Sequence, residues 1–427
     1  MRPKYNFNKL LYFVSAFIVM TNEFNNIVIN QYIRYAVAAF WTIICFFSCQ
    51  KGNKSIRKSN IMFQLKKLLC PFIFFATYTV LIWLFTGQAE IKNYTRLLST
   101  ILYLTLGYGF AGAGVLLYGN KAIDSLFYSG CTSYLFGSII PVLLKFTIAD
   151  IIVFLKSTIS GVNTDITNYM EVHDLTFAMG LFLLYYLFIE PSDEKKHRTK
   201  IVLCVLSIFL GLKRIELLAL FAVIGAYILL LKRAKTMKYR SSFFTIAFLS
   251  VILLYIWIVF DGTLLRLATL YGIDFKHRLA YYDYARSYYN FSPWFPGLGY
   301  TFFSKMWQEM YFAGTRIGGY GIAASLHSDI LVMFIEVGFW GVIFWVFYYF
   351  KYLTMTFHKR YGILVSECFL LLTIYMFLLY FTDNTSTYTI TQLVYFAIPV
   401  ATSETRVSEF RKKFMPYEAG MKEQKNE

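Results

Sequence analysis

Charge is scarce in this chain. Asp, Glu, Lys and Arg make up 15% of it and hydrophobic residues 58%, whereas a soluble domain carries about a quarter charged residues. A soluble multidomain protein is therefore excluded. Cysteine is sparse too: Cys45, Cys49, Cys70, Cys131, Cys204 and Cys368 lie in or beside apolar segments without metal-ligand spacing. Neither a disulfide framework nor a metal centre is expected from them, and they read as small buried hydrophobes. Acids are rarer than bases, 24 against 41, giving a net charge of +17. The bases fall in short gaps between apolar runs, where they set membrane topology, so no nucleic-acid partner is expected.

What is present is a succession of apolar runs. They are Leu10–Thr21, Tyr32–Cys49, Cys70–Thr86, Leu97–Tyr118, Ile123–Phe146, Asp174–Ile189, Ile201–Leu212, Ile215–Leu231, Phe243–Phe260, Ser328–Phe350, Tyr361–Phe381 and Tyr388–Thr402. Most approach the ~17–25 residues needed to cross a hydrocarbon core. The pattern predicts an all-α integral membrane protein with about twelve transmembrane helices. Residues 1–260 hold the first nine, 261–327 form one large, partly helical extracytoplasmic loop, 328–402 hold the last three, and 403–427 form a polar cytoplasmic tail. The basic start and the asparagines after Met20 read as a first membrane helix, with no small-residue cleavage site.

Orientation follows from the gaps. Lys51–Lys67, Pro191–Lys200, the bases from Lys232 to Arg240, Lys351–Arg360 and Arg411–Lys413 all fall on one side. Short basic loops stay cytoplasmic, which puts both termini inside. Gly87–Arg96, Thr147–Val172 and the long stretch from Asp261 to His327 face out.

Three groups of residues stand out. The first is Gly211-Leu212-Lys213-Arg214-Ile215-Glu216, which interrupts an otherwise continuous apolar run. Ionisable groups at membrane depth are functional candidates by default; the plainer reading is an interfacial turn whose charges snorkel outward. The second is the aromatic segment from Lys276 through His277, Arg278, Tyr281, Tyr282 and Asp283 to Arg286, broken after Pro293. Arginine suits phosphate because its planar fork makes paired hydrogen bonds; an amphipathic surface helix would look similar. The third is His327, where the long stretch returns to the membrane. Its imidazole titrates near neutrality and can take a proton, though a lone histidine is more often a satisfied helix-start residue. His173 is a weaker candidate for the same face, and Glu336 reads as a buried acid paired inside the bundle. The outer stretch has no Asp-x-Asp pair, no serine-hydrolase motif, and in Gly297-Leu298-Gly299 too short a glycine pattern to cradle phosphate.

Taken in order, the basic break, Arg278 with its aromatic helix, Pro296-Gly297-Leu298-Gly299, and His327 followed by Leu331, Glu336 and Gly338 resemble the O-antigen polymerase and O-antigen ligase family. The resemblance spans the whole topology, including the large outer loop. It departs at Lys213-Arg214, where many members have Gly-Ser-Arg. It implies glycosyl transfer between undecaprenyl-diphosphate-linked oligosaccharides on the outer face of the bacterial inner membrane. The expected mechanism is inverting and metal-independent, with no cofactor. Arg278 and Arg214 would hold the diphosphate, assisted by Arg286 or Lys213, and His327 would remove the acceptor proton. Tyr281, Tyr282, Trp294 and Tyr300 are candidate sugar-stacking groups. Expected partners are membrane lipids, a chain-length regulator and a flippase. A polymerase of O-antigen, capsule or exopolysaccharide repeat units is the first expectation and a ligase onto lipid A–core the second. A flippase or secondary transporter is the reading from a different class, but no half-to-half repeat supports it.

Overall fold

A computed structural model describes residues 7–21, 29–50, 55–160, 164–190, 194–211, 213–231, 236–272 and 278–414. The chain is an all-α membrane protein. Among the described residues, five helical stretches are long and apolar enough to cross a membrane by length and composition: Gln31–Gln50, Ile56–Thr86, Ile91–Lys145, Met237–Phe260 and Asp329–Tyr361. Ile91–Lys145 is turned at Gly119–Lys121, so it is two packed helices rather than one. Shorter apolar helices cover Phe7–Met20, His173–Phe188 and Ile363–Leu379. Among the described residues, each apolar run of the sequence lies largely on helix. Two segments expected as loop or tail carry helix as well. Ile148–Ser160 is helical within the gap after Phe146, and the last helix, Thr389–Phe414, continues beyond Ser403.

The basic interruption behaves as its composition suggests. One helix ends at Gly211 and the next begins at Arg214, with Lys213 in extended conformation as its N-cap. Gly211 lies against the Thr176 side chain, so the break sits beside the first turn of the helix His173–Phe188.

The stretch after Phe260 contains the helices Thr263–Tyr271, Arg278–Ala285 and Phe302–Phe312 and a two-stranded ribbon, Arg316–Ile317 with Tyr320–Gly321. Gly318 and Gly319 both have positive φ in the ribbon's turn, as a two-residue hairpin of this hand requires.

This stretch is fastened to the bundle through backbone. The helix Asp329–Phe347 is interrupted at Gly338 (φ 72°, ψ −173°). The interruption frees carbonyls that would otherwise be used inside the helix, and the Pro296–Gly299 segment takes them. Leu298 N–H donates to Ile335 O at 2.9 Å, Gly299 N–H to Glu336 O at 2.8 Å, and Phe339 N–H to Phe295 O at 3.1 Å. Backbone polar groups at membrane depth must find protein partners, and this clasp supplies them. A Cβ on Gly297 would stand 2.4 Å from Glu336 O, and one on Gly338 2.4 Å from Phe295 O.

Gly338→Ala and Gly297→Ala are therefore expected to cost about 3 kcal/mol or more, combining a left-handed backbone with a backbone clash. Gly225→Ala, at a helical glycine with open space around it, is the control. Thermal melting of detergent-solubilised protein checks this; a Gly338→Ala melt matching that of Gly225→Ala would contradict the clasp.

Glu336 completes the fastening. It is buried in the same helix, and its carboxylate accepts from Thr301 N–H at 2.8 Å, Ser304 N–H at 2.9 Å and Ser304 Oγ at 2.7 Å. It thereby caps the helix Phe302–Phe312, whose first amide groups have no intrahelical acceptor. The acid expected to be paired inside the bundle is paired with a helix end and not with a cation.

Candidate active site

Four loops meet at one end of the bundle: Glu171–His173, the Lys213 break, the head of the helix Arg278–Ala285, and the polar segment Thr382–Tyr388 facing His327. His327 precedes the N-cap Ser328, whose hydroxyl accepts from Leu331 N–H at 3.4 Å. The backbone of His327 is left-handed, with φ 58°. For a residue with a Cβ this is strained, and such strain persists only where the surroundings over-determine it. They do so here. The His327 N–H donates to Asn384 Oδ1 at 3.1 Å, and its carbonyl accepts from Tyr282 Oη at 3.1 Å. The first of these bonds fixes which end of the Asn384 carboxamide faces the backbone. Asn384 Nδ2 therefore faces His327 Nδ1, at 3.4 Å. An amide donor against a neutral imidazole leaves the lone pair on Nδ1.

The charged neighbours of His327 are Arg278, Asp383 and Lys213, with His173 beyond. Arg278 donates one guanidinium nitrogen to Thr382 O at 3.1 Å. Lys213 Nζ lies 2.6 Å from Glu171 Oε1 and 3.0 Å from His173 Nε2. Asp383 is buried and its Oδ1 accepts from Asn384 N–H at 2.8 Å and Tyr388 Oη at 2.9 Å. Burial first, and then the Arg278 guanidinium, lower the His327 imidazole to about 4, with Asp383 pulling the other way. At neutral pH it is uncharged, with its basic Nδ1 facing the Asn384 amide.

The sign of the pH dependence follows. kcat/KM reports the free protein, so its acid limb from His327 should lie near pH 4 rather than near the ordinary value of about 6.5. A bound anion beside Arg278 would offset that cation and raise the imidazole, so the acid limb of kcat should lie higher. Parallel pH profiles of the two constants check this. An acid limb of kcat/KM near 6.5 would contradict it.

The other expected residues are spread more widely. Arg214 is exposed, one residue past Lys213. Arg286 pairs with Asp283 at 3.1 Å and lies against Gly262. Tyr281 donates to Gly321 O at 2.9 Å and stands edge-on to Trp307. Trp294 is 90% exposed at a turn, and Tyr300 packs between Phe72 and Phe75. Lys276 and His277 lie outside the described residues. The structure adds residues that the sequence reading passed over, Glu171, Asp383 and Asn384. The one signal for the last two was a polar break, Thr382-Asp383-Asn384-Thr385-Ser386-Thr387, between apolar runs.

No curated protein matches the chain. A model of the family described as O-Antigen ligase matches residues 200–346, about a third of the chain. The match begins just before the Lys213 break and takes in Arg278, the Pro296–Gly299 clasp, His327 and Glu336. Those are residues on which the resemblance in sequence rests, and of the matched segment the fold brings Lys213, Arg278 and His327 together at one end of the bundle. Over this segment the chain is similar to the O-Antigen ligase family.

Proposed function

We propose that the protein is a membrane glycosyltransferase that polymerises polysaccharide repeat units from a lipid-diphosphate-linked donor, of the undecaprenyl type. The observation that carries this is the convergence of Arg278, Lys213 and a neutral His327 at one end of a membrane bundle. The twelve apolar runs cross the inner membrane with basic loops inside, which puts this end outside.

The chemistry follows from the side chains. Arg278 has guanidinium N–H groups beyond the one given to Thr382. With Lys213 it grips the diphosphate, and Glu171 holds the ammonium in place while the site is empty. Arg214, exposed at the head of the same helix, is the third cation within reach of the lipid phosphates. The acceptor hydroxyl gives its proton to His327. Its oxygen bonds to the anomeric carbon from the face opposite the leaving group, the bond from that carbon to phosphate oxygen breaks, and the lipid diphosphate departs with the electron pair. Fixed cations stabilise that developing charge. Asp383 and Glu171 already accept protein donors, so the cations of this site come from the chain itself. Tyr282 and Asn384 position the histidine, and membrane lipids, a flippase and a chain-length regulator supply the setting.

A ligase is the second reading, favoured by the description of the matching family. The glycan of a deletion strain separates the two. Single repeat units on the final acceptor support a polymerase. Long chains left on the carrier lipid support a ligase.

A further inference from the structure

Beyond Asn384, on the side away from the cationic cluster, lies a pocket that the mechanism has not used. It is a cavity of about 120 Å³ between the helices Ile91–Tyr118, Phe302–Phe312 and Asp329–Phe347. Its polar wall includes Arg96, Thr301, Ser304, Gln308 and Asn384, and Trp307 is its largest aromatic.

Two polar atoms in this wall have no partner among the described residues. Thr301 is 4% exposed, and its Oγ1 is buried without a hydrogen bond. Its backbone is left-handed, φ 74°, so strain and an orphan hydroxyl coincide at one residue. Arg96 Nε is likewise buried and unbonded. A buried polar atom left unpaired costs about 1–3 kcal/mol, and both residues line this pocket, so a ligand that draws these side chains toward it would recover that cost.

The charge of the wall narrows what that is. Arg96 shares the pocket with Asp329 and Glu336. Both acids already accept hydrogen bonds from within the wall, Asp329 from Ser386 N–H at 2.8 Å and Ser386 Oγ at 2.6 Å. One cation beside two acids leaves no surplus of positive charge for an anion. Hydroxyl, amide and guanidinium groups around an aromatic wall suit an uncharged, polyhydroxylated ring. The location also fits. Asn384 lines the pocket, and its carboxamide covers the lone pair on His327 Nδ1.

We infer that this pocket holds the acceptor's terminal sugar, an uncharged hexose or N-acetylhexosamine, bound by Arg96, Thr301 and Gln308. Resting on the transferase reading above, this gives the two substrates separate sites, with the diphosphate at Arg278 and Lys213 and the acceptor ring behind Asn384. The acceptor hydroxyl reaches His327 by taking the place of the Asn384 amide against Nδ1.

Saturation-transfer NMR on the full-length protein in lipid nanodiscs reads both sites. Methyl glycosides of glucose and N-acetylglucosamine probe the pocket, methyl glucuronide probes its charge preference, and farnesyl diphosphate probes the cationic cluster. Neutral glycosides should bind the native protein and bind about tenfold or more weakly to Gln308→Ala and Arg96→Gln, the loss expected for a desolvated hydrogen bond. Farnesyl diphosphate should bind those two variants as it binds the native protein. Neutral glycosides that fail to bind the native protein, or that bind both variants equally well, overturn the pocket assignment. Glucuronide binding as strong as the neutral sugars overturns the ligand class. Farnesyl diphosphate binding that survives Arg278→Ala overturns the diphosphate site instead, so the two failures are distinct.

Discussion

His327→Ala should abolish chain growth while the protein still folds and inserts. General-base catalysis contributes about 10²–10⁴-fold, and the other titratable groups of the site are already engaged. Lys213 and His173 bind one another and Glu171. Asp383 accepts from Asn384 and Tyr388. The backbone anchors of His327, donated to Asn384 and accepted from Tyr282, do not involve the imidazole. Alanine keeps both, although it adopts the left-handed φ less readily than histidine does. Turnover of a defined lipid-linked repeat unit, with a melting curve of the same sample, separates chemistry from folding. Native turnover in this variant would remove the base from the mechanism.

Arg278→Lys should lose about 10²–10³-fold in kcat/KM, the range for removing one fixed donor to a developing anion. The arginine spends one nitrogen on Thr382 O and keeps the rest of its fork for the substrate. A lysine ammonium cannot both hold that carbonyl and clasp a diphosphate bidentately. The variant should fold, because a single hydrogen bond at the head of a helix is at stake. Arg278→Lys with native kcat/KM would mean that charge alone suffices and the fork does not matter. Steady-state kinetics on the reconstituted protein checks this.

How far this was legible in the sequence depended on the range of the interaction. Apolar runs mark helices because hydrophobicity is written residue by residue. The helix beginning at Arg278 and the break at Lys213-Arg214 were legible for the same local reason. The choice between those two cations was not. Which one turns inward depends on Lys213 serving as the N-cap beside His173, a contact 40 residues away in the chain. Pro296-Gly297-Leu298-Gly299 and Glu336-Val337-Gly338 were visible as parts of a motif. That they are two sides of one backbone clasp shows only in three dimensions. Asn384 and Asp383 were missed because a polar turn between apolar helices looks ordinary until it is found against a histidine.

The central claim is that Arg278 and Lys213, with Arg214 in reach, hold a departing diphosphate beside a neutral His327 without help from a metal ion. It is tested most directly by purified protein in nanodiscs, given a defined lipid-diphosphate-linked repeat unit with a chelator present, by measuring lipid diphosphate released and glycan formed. The account predicts equal amounts of both, undiminished by the chelator and lost in Arg278→Lys. Release that needs an added divalent cation, or that continues unchanged in Arg278→Lys, would contradict it.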